Sequence, residues 1–427
     1  MSDNIYIIGV GMTKFGKHLD KGVKQLTGLS LDLVLKDCGL EKDAIEAAWF
    51  SNTGWGMSEF QHSIRGQVAL SANGLDKISM VNVENACASG STALHSGWMA
   101  IKAGVYDCVL AIGTEKMYYD LSKATKEQKA KSFKGFIAGT DVEETTRWIE
   151  KWQEDERKKK EQMAEEAKKK GVEVKKDDSK KGHSVFMDFY AAGARNHMKA
   201  YGTTQRQLAV IASKAHNNST LNPLAQYTFP QTVEQVMEDR EVAYPLTRAM
   251  CAPVGDGSAA AIICSERFLK KHSTDRAVLI RASILKSGKR TGDNDVCQRA
   301  ADAAYETAGL GPEDINVVEV HDATAFGELY QTEQMGFCPV GEGGPFAESG
   351  ATALDGKIPV NTSGGLMSRG HPIGASGIAQ TWELVTQLRG EAGKRQIKKH
   401  KIAMAENGGG TLGNGEASMA IHILEKI

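Results

Sequence analysis

An α/β protein built from two pseudo-symmetric βα halves is what this chain of 427 residues predicts. Three observations carry the prediction. Apolar strand-like segments alternate with helix-like segments over short links, which implies a parallel sheet with right-handed crossovers. Forty-five glycines stand against nine prolines, a balance suited to tight strand-to-helix turns. Finally, each half places a reactive residue before a helix of small residues: Cys87 before Ser89-Gly90-Ser91-Thr92-Ala93, and His371 before Gly374-Ala375-Ser376-Gly377. That echo reads as an internal duplication, with two helix N-termini converging on one site.

The elements follow in order. Residues 5–10 form an apolar strand entering a glycine turn. A dinucleotide fingerprint fails here because Lys14 occupies the place of the third glycine and no acidic partner follows at the right distance. Residues 80–83 are strand-like, 89–103 a helix closed by Gly104, and 108–113 a fully apolar strand. From 122 to 182 the text turns densely charged, with Arg157-Lys158-Lys159-Lys160 and Lys168-Lys169-Lys170. Trp148 and Trp152 give 143–169 the thin apolar stripe of a solvated helix. Such an insertion projects into solvent, the commoner fate of a charge run. A sharper reading makes it a mobile cover whose lysines meet the phosphates of a nucleotide-bearing thiol substrate.

Order returns with helices at 183–200 and 203–216 and a buried strand at 259–264. The second half opens with a strand at 277–283 and continues with a helix at 293–308, a strand at 317–320, a helix at 377–388, and strands at 402–405 and 417–424. The expected domains are therefore 1–121 and 183–270, interrupted by the insertion 122–182, and then 271–427.

Composition excludes several functions. A formal net charge of −1 gives no pull toward nucleic acid or acidic membranes. The seven cysteines, at positions 38, 87, 108, 251, 264, 297 and 338, form no CxxC pair and no Cys/His ligand spacing. This points to a reducing compartment with no disulfide framework and no metal site. Without a basic leader or an apolar run of membrane-spanning length, the expectation is a cytoplasmic soluble enzyme.

Four segments could do chemistry. Cys87 lies in Glu84-Asn85-Ala86-Cys87-Ala88-Ser89-Gly90, after a strand and before a helix, where free N–H groups and the macrodipole favour a thiolate. Cys38, Cys108, Cys264 and Cys297 read instead as structural. His371, between Gly370 and Pro372, is held in a turn and can deprotonate a thiol or donate to an oxyanion; taken alone it could be a satisfied turn histidine. His321-Asp322 follows a strand at the end where open α/β folds bind ligands. There His321 reads as functional, and Asp322 as structural, for example as a cap of the next helix. In Glu406-Asn407-Gly408-Gly409-Gly410-Thr411, glycines at a strand end let backbone N–H groups approach a substrate oxygen. A bare glycine run is a weak signal whose value lies in its company.

Together these segments resemble the thiolase superfamily. Asn85-Ala86-Cys87-Ala88-Ser89-Gly90 looks like its nucleophile block, and Gly370-His371-Pro372-Ile373-Gly374-Ala375-Ser376-Gly377 like its histidine block. The glycine run is similar to its C-terminal block. Glu319-Val320-His321-Asp322-Ala323 is similar to the histidine-aspartate variant of the sterol-carrier-protein-x type and archaeal thiolases. Tyr201-Gly202-Thr203-Thr204, Asn222-Pro223 and residues 253–259 also fit that subgroup. The likeness spans the chain apart from the insertion.

The resemblance implies an αβαβα-layered thiolase fold in a homodimer or higher oligomer. It also implies an acyltransferase that cleaves or forms a 3-oxoacyl-CoA through acyl-Cys87, with coenzyme A as substrate and no permanently bound cofactor. His371, a water held by His321, and the N–H groups of Cys87 and Gly408 would receive the oxyanions. Losing one such donor costs on the order of 100- to 1000-fold in rate. One departure matters. The family's second cysteine, an acid/base, is replaced by Glu406 at one of its two usual places and by Ala323 at the other. Either Glu406 takes that role, or a small accessory protein with a zinc ribbon and an OB-fold completes the site. A condensing 3-ketoacyl or hydroxymethylglutaryl-CoA-type synthase, and a non-catalytic scaffold needing a partner, are the other readings.

Overall fold

The computed structural model describes residues 4–119, 140, 145–151, 154–155, 157–158, 185–272 and 275–427. Most of the charged insertion at 122–182, with Lys159, Lys160 and the run 168–170, lies outside the described residues. Within it, 145–151 is helical and Trp148 stacks on Phe189 with ring centroids 5.4 Å apart.

Nine strands form one mixed sheet. In the first half these are β1 (Ile5–Met12), β2 (Ala47–Ser51), β3 (Ser79–Val83), β4 (Cys108–Glu115) and β5 (Gly257–Ser265). The second half supplies β6 (Val278–Ser287), β7 (Val317–Glu319), β8 (Ile402–Leu412) and β9 (Gly415–Lys426). Across the sheet they run β3-β2-β4-β5-β1-β6-β9-β8-β7, and Val360 adds a parallel bridge to Val318 at the far edge.

Counting Val360 as the third strand of the second half, each half has the order third, second, fourth, fifth, first. The halves meet back to back where β1 pairs antiparallel with β6, Tyr6 opposite Leu279 and Ile7 opposite Val278. The duplication expected from the sequence is thus a topological fact. The parallel sheet is only half right. β2 is parallel to β3 and β4, and β7 to β8, but β5, β1, β6 and β9 pair antiparallel. The alternation reports the crossovers between early strands, whereas each half's last strand closes it from the other direction. The two-residue link between β8 and β9 permits nothing but an antiparallel pair.

The layers follow from three apolar cores. Helix α1 (Val23–Cys38) covers the outer face of the first half. It packs so closely that a Cβ at Gly9 would meet Cys38 Cβ at 2.9 Å, and one at Gly11 would meet Val34 N at 2.6 Å. Those glycines therefore serve helix-on-strand contact inside a continuous β1, not the turn expected there. Between the two sheet halves lie α2 (Ser89–Lys102) and α7 (Ser376–Arg389), joined through Leu94, Ile378 and Leu384. Helix α5 (Val296–Ala308) covers the outer face of the second half. This is the expected αβαβα stack. A fourth core joins α3 (Val185–Tyr201), α4 (Gln205–Ser219) and α6 (Ala325–Gln334).

Candidate active site

Cys87 sits on the sharp turn from β3 into α2. Ala86 takes φ 48°, a left-handed conformation unusual for a residue with a Cβ, which costs of order 1–3 kcal/mol and must be held by its surroundings. It is held: Ala86 N–H donates to Glu84 Oε1 at 2.6 Å, and Ser89 Oγ donates to Ala86 O at 2.6 Å. Ser89 Oγ also accepts Asn85 N–H at 2.8 Å. The glycine run buttresses the turn from below, where a Cβ at Gly409 would overlap Asn85 O and Ala88 N. The thiol is half-buried.

His371 reaches Cys87 from the other half through close backbone contact. A Cβ at Gly113 would overlap Gly374 O, and one at Gly90 would meet Gly374 O at 3.1 Å and Gly377 N at 3.2 Å. The fully buried Glu115 clamps the junction, accepting Asn52 Nδ2 at 2.9 Å and the N–H groups of Thr53, Gly54 and Gly374 at 2.9, 2.8 and 3.0 Å. Asp322 accepts the N–H groups of Leu366 and Met367 at 2.6 and 3.4 Å. It therefore caps the turn Gly365–Arg369 leading into His371. The helix after Asp322 is capped instead by Thr324, whose hydroxyl accepts Gly327 N–H at 3.2 Å, so Asp322 is structural as expected but at a different helical end.

The ring of His371 has a defined tautomer. Its Nδ1 lies 2.7 Å from Ser376 Oγ, and Ser376 spends its only proton on the Pro372 carbonyl at 2.9 Å. Ser376 can then only accept, so Nδ1 carries the hydrogen and Nε2 is bare. That bare nitrogen stands 3.3 Å from Cys87 Sγ. His321 completes the group, its ring centroid 5.2 Å from that of His371 in edge contact. The Asn407 amide nitrogen donates to His321 Nδ1 at 3.1 Å, which leaves the ring hydrogen on Nε2.

Burial dominates the electrostatics. It pushes the Cys87 thiol up to about 12, helped by the charges of Glu115 and Glu84 and opposed by a backbone hydrogen bond from Gly410. It holds His321 down at about 4 and His371 well below the usual range, with the Arg369 charge acting the same way on both. The resting pair is therefore a neutral thiol facing a neutral imidazole. Burial thus acts against the thiolate expected at the helix N-terminus.

Glu406 lies beside this group, fully buried. Its Oε2 accepts the backbone N–H of His321 at 2.7 Å, its Oε1 has no partner among the described residues, and burial raises its carboxyl to about 8. The Gly408 N–H helps hold that carboxyl down, while Gly410 is the member of the run that acts on the sulfur. Ala323 is buried, and its carbonyl accepts Ala252 N–H at 2.9 Å. Cys251, nearby in the fold, turns its sulfur to Thr247 O at 3.4 Å and packs among apolar side chains. It does not supply the missing thiol.

Cys87, His321 and His371, far apart in sequence, thus gather at one place, with Glu406 against the backbone of His321 and Gly408 against Glu406. Sequence reasoning missed Glu115, Ser376, Asn407 and Tyr190. Ser376 carried a signal, opening the helix five residues after His371, and Asn407 stood inside the glycine run. Tyr190 carried none. Its ring borders Gly327, and burial raises its hydroxyl well above the usual range.

Known proteins resemble this chain over nearly its whole length. Residues 5–243 match the model of the thiolase N-terminal domain, and residues 283–426 that of the thiolase C-terminal domain-like family. The acetyl-CoA acetyltransferase of Methanothermobacter thermautotrophicus is 37% identical over 99% of this chain and 100% of its own. Sterol carrier protein 2 of Bos taurus is 34% identical over 95% of this chain and 70% of its own. Benzoylsuccinyl-CoA thiolase subunit BbsB of Thauera aromatica is 30% identical over 95% and 94%. Among solved structures, the Ltp2-ChsH2(DUF35) aldolase superposes with a TM-score of 0.74 at 19% identity, over 99% of this chain and 97% of that one.

Proposed function

The chain belongs to the thiolase family of acyltransferases, which use CoA as a substrate, and from that premise we propose that it cleaves a 3-oxoacyl-CoA with CoA, or runs the reverse condensation, through an acyl group on Cys87. One observation carries the reading: the bare Nε2 of His371 stands 3.3 Å from the Cys87 sulfur, in a tautomer fixed by Ser376.

The steps balance as follows. The Cys87 proton passes to His371 Nε2 as sulfur attacks the 3-keto carbon. The oxyanions are received by His371 with a water held by His321, and by the N–H groups of Cys87 and of the glycine run, where Gly408 was the expected donor and Gly410 is the one that acts on the sulfur. The bond between C2 and C3 breaks, leaving the acyl group on sulfur and the electron pair in the enolate of a shorter acyl-CoA. Protonated Glu406 gives that carbon its proton. The Glu406 carboxylate then takes the proton of incoming CoA, whose sulfur captures the acyl group. Cys87 leaves as thiolate and recovers its proton from His371. A carboxyl raised to about 8 by burial, with one oxygen unpartnered beside His321, supports the role given to Glu406.

The finer proposal is the substrate: benzoylsuccinyl-CoA, giving benzoyl-CoA and succinyl-CoA, which would place the chain in anaerobic toluene breakdown. The likeness to BbsB over nearly the whole chain supports it. That relative is named as a subunit, and the solved aldolase is named with a DUF35 protein. Both support an accessory zinc-ribbon/OB-fold partner that joins a homodimer or higher oligomer of this chain. No described helix is long and apolar enough to cross a membrane, and all seven cysteines are free, which supports a reducing, cytoplasmic setting.

The test is CoA-dependent loss of 3-oxoacyl-CoA, benzoylsuccinyl-CoA included, with and without the co-expressed partner. The absent second cysteine favours one other reading, a condensing synthase. In that case acyl-Cys87 would be discharged by a carbanion donor and not by CoA.

A further inference from the structure

Three donors typical of soft-metal sites meet where the sequence shows no ligand spacing. Cys87, His321 and His371 each offer a ligand atom, and the three atoms lie within 4.8 Å of one another. The Cys87–His371 pair stands at 3.3 Å. In a tetrahedral zinc site, with metal–ligand bonds of about 2.0–2.3 Å, neighbouring donors are about 3.3–3.6 Å apart. A side-chain adjustment of about 1 Å therefore closes the set.

One ring is already oriented for coordination. His371 is tied through Nδ1 to Ser376, and among the described residues its Nε2 meets only the thiol. His321 Nδ1 faces the amide nitrogen of Asn407, whose Oδ1 has no partner among the described residues, so ligation through His321 Nε2 needs that amide to turn over and let Oδ1 accept the Nδ1 hydrogen, the way a metal-bound imidazole is typically held. Three protein ligands leave a fourth position open.

We propose that Cys87, His321 and His371 form a zinc-class metal-ion site, through which soft divalent cations inhibit the enzyme reversibly. Binding exchanges one proton for the ion: the thiol releases its hydrogen to solvent, the thiolate and two imidazoles ligate the metal, and water or the CoA thiol takes the fourth position. Binding rests on geometry alone; inhibition rests also on the reading of Cys87 as nucleophile.

The experiment titrates EDTA-treated full-length enzyme with zinc chloride by calorimetry and by competition with a chromogenic chelator. Alkylation of Cys87 by iodoacetamide and catalytic activity are followed in parallel. Zinc is expected to bind at one tight site per chain and to block both alkylation and activity, with EDTA restoring both. Asn407→Ala is expected to weaken that site about 10- to 100-fold, and Cys87→Ala or His321→Ala further still. Where Cys87→Ala does not fold, wild-type enzyme alkylated at Cys87 takes its place. A tight site that survives loss or alkylation of Cys87, or zinc that leaves the alkylation rate untouched, overturns the proposal. Protein that binds zinc here yet cleaves no acyl-CoA would sink the functional reading and leave the metal site standing; an active enzyme indifferent to zinc would do the reverse.

Discussion

Ser376 Oγ lies 2.7 Å from His371 Nδ1 and gives its own hydrogen to the Pro372 carbonyl, so the imidazole is presented to Cys87 with its basic nitrogen forward. Nucleophile and base come from different halves of the molecule, and one hydroxyl sets the proton bookkeeping between them.

Replacing that hydroxyl leaves a buried ring N–H without a partner, a penalty of about 1–3 kcal/mol that the other tautomer escapes by moving the hydrogen toward the sulfur. Ser376→Ala is therefore expected to slow both kcat and the alkylation of Cys87 by about 10- to 100-fold at neutral pH. The paired rates, measured by stopped-time iodoacetamide labelling and steady-state assay, check this. Unchanged alkylation would remove Ser376 from the mechanism.

Glu406 ties pH to both rate and stability. As the acid that protonates the enolate, it must hold its hydrogen, so the rate of acyl-enzyme formation falls as pH rises through about 8. Glu406→Gln is expected to abolish that limb and lower the rate sharply. The sign for stability is opposite to that of a salt-bridged carboxylate. Because burial raises the folded pKa above the ordinary glutamate value of 4.5, the folded state gives up stability as pH climbs from there to about 8. Glu406→Gln should consequently melt higher than wild type at pH ~9 while being far less active. A lower melting temperature at that pH would show that the carboxyl is not buried in its neutral form.

Gly377 separates two faces of the site. A Cβ there would overlap Ser91 Oγ and Asn407 Oδ1 and meet Ser91 N at 2.6 Å, pushing Asn407 off His321 while leaving the Cys87–His371 pair alone. Gly377→Ala is expected to cost about 1–3 kcal/mol in stability from overpacking. It should lower kcat yet preserve the alkylation rate of Cys87, a split readable by pairing chemical denaturation with labelling kinetics. Parallel loss of both rates would mean that the two halves of the site do not respond separately.

How much of this was legible in the sequence differs residue by residue. Cys87 and His371 announce themselves because both need glycine or proline neighbours to leave their helices at sharp angles, and such requirements are written locally. The layered architecture was legible for the same reason, since apolar periodicity is local. The direction of β5 and β9 was not, because it depends on which edge a returning strand meets. Glu115 was illegible as well: its role lies in four donors drawn from residues 52–54 and 374, a partnership visible only once the halves are docked. The desolvation acting on Cys87 was illegible too, because a helix terminus is a local feature whereas burial is made by the whole fold.

The central claim is a covalent one, that Cys87 carries the acyl group. Incubating the enzyme with a cleavable 3-oxoacyl-CoA without free CoA, then mapping peptides by mass spectrometry, tests it most directly. The account predicts an acyl mass on the Cys87 peptide that disappears when CoA is added, and no adduct in Cys87→Ala. Carbon–carbon cleavage that proceeds with Cys87 unmodified, or that survives in Cys87→Ala, would contradict it.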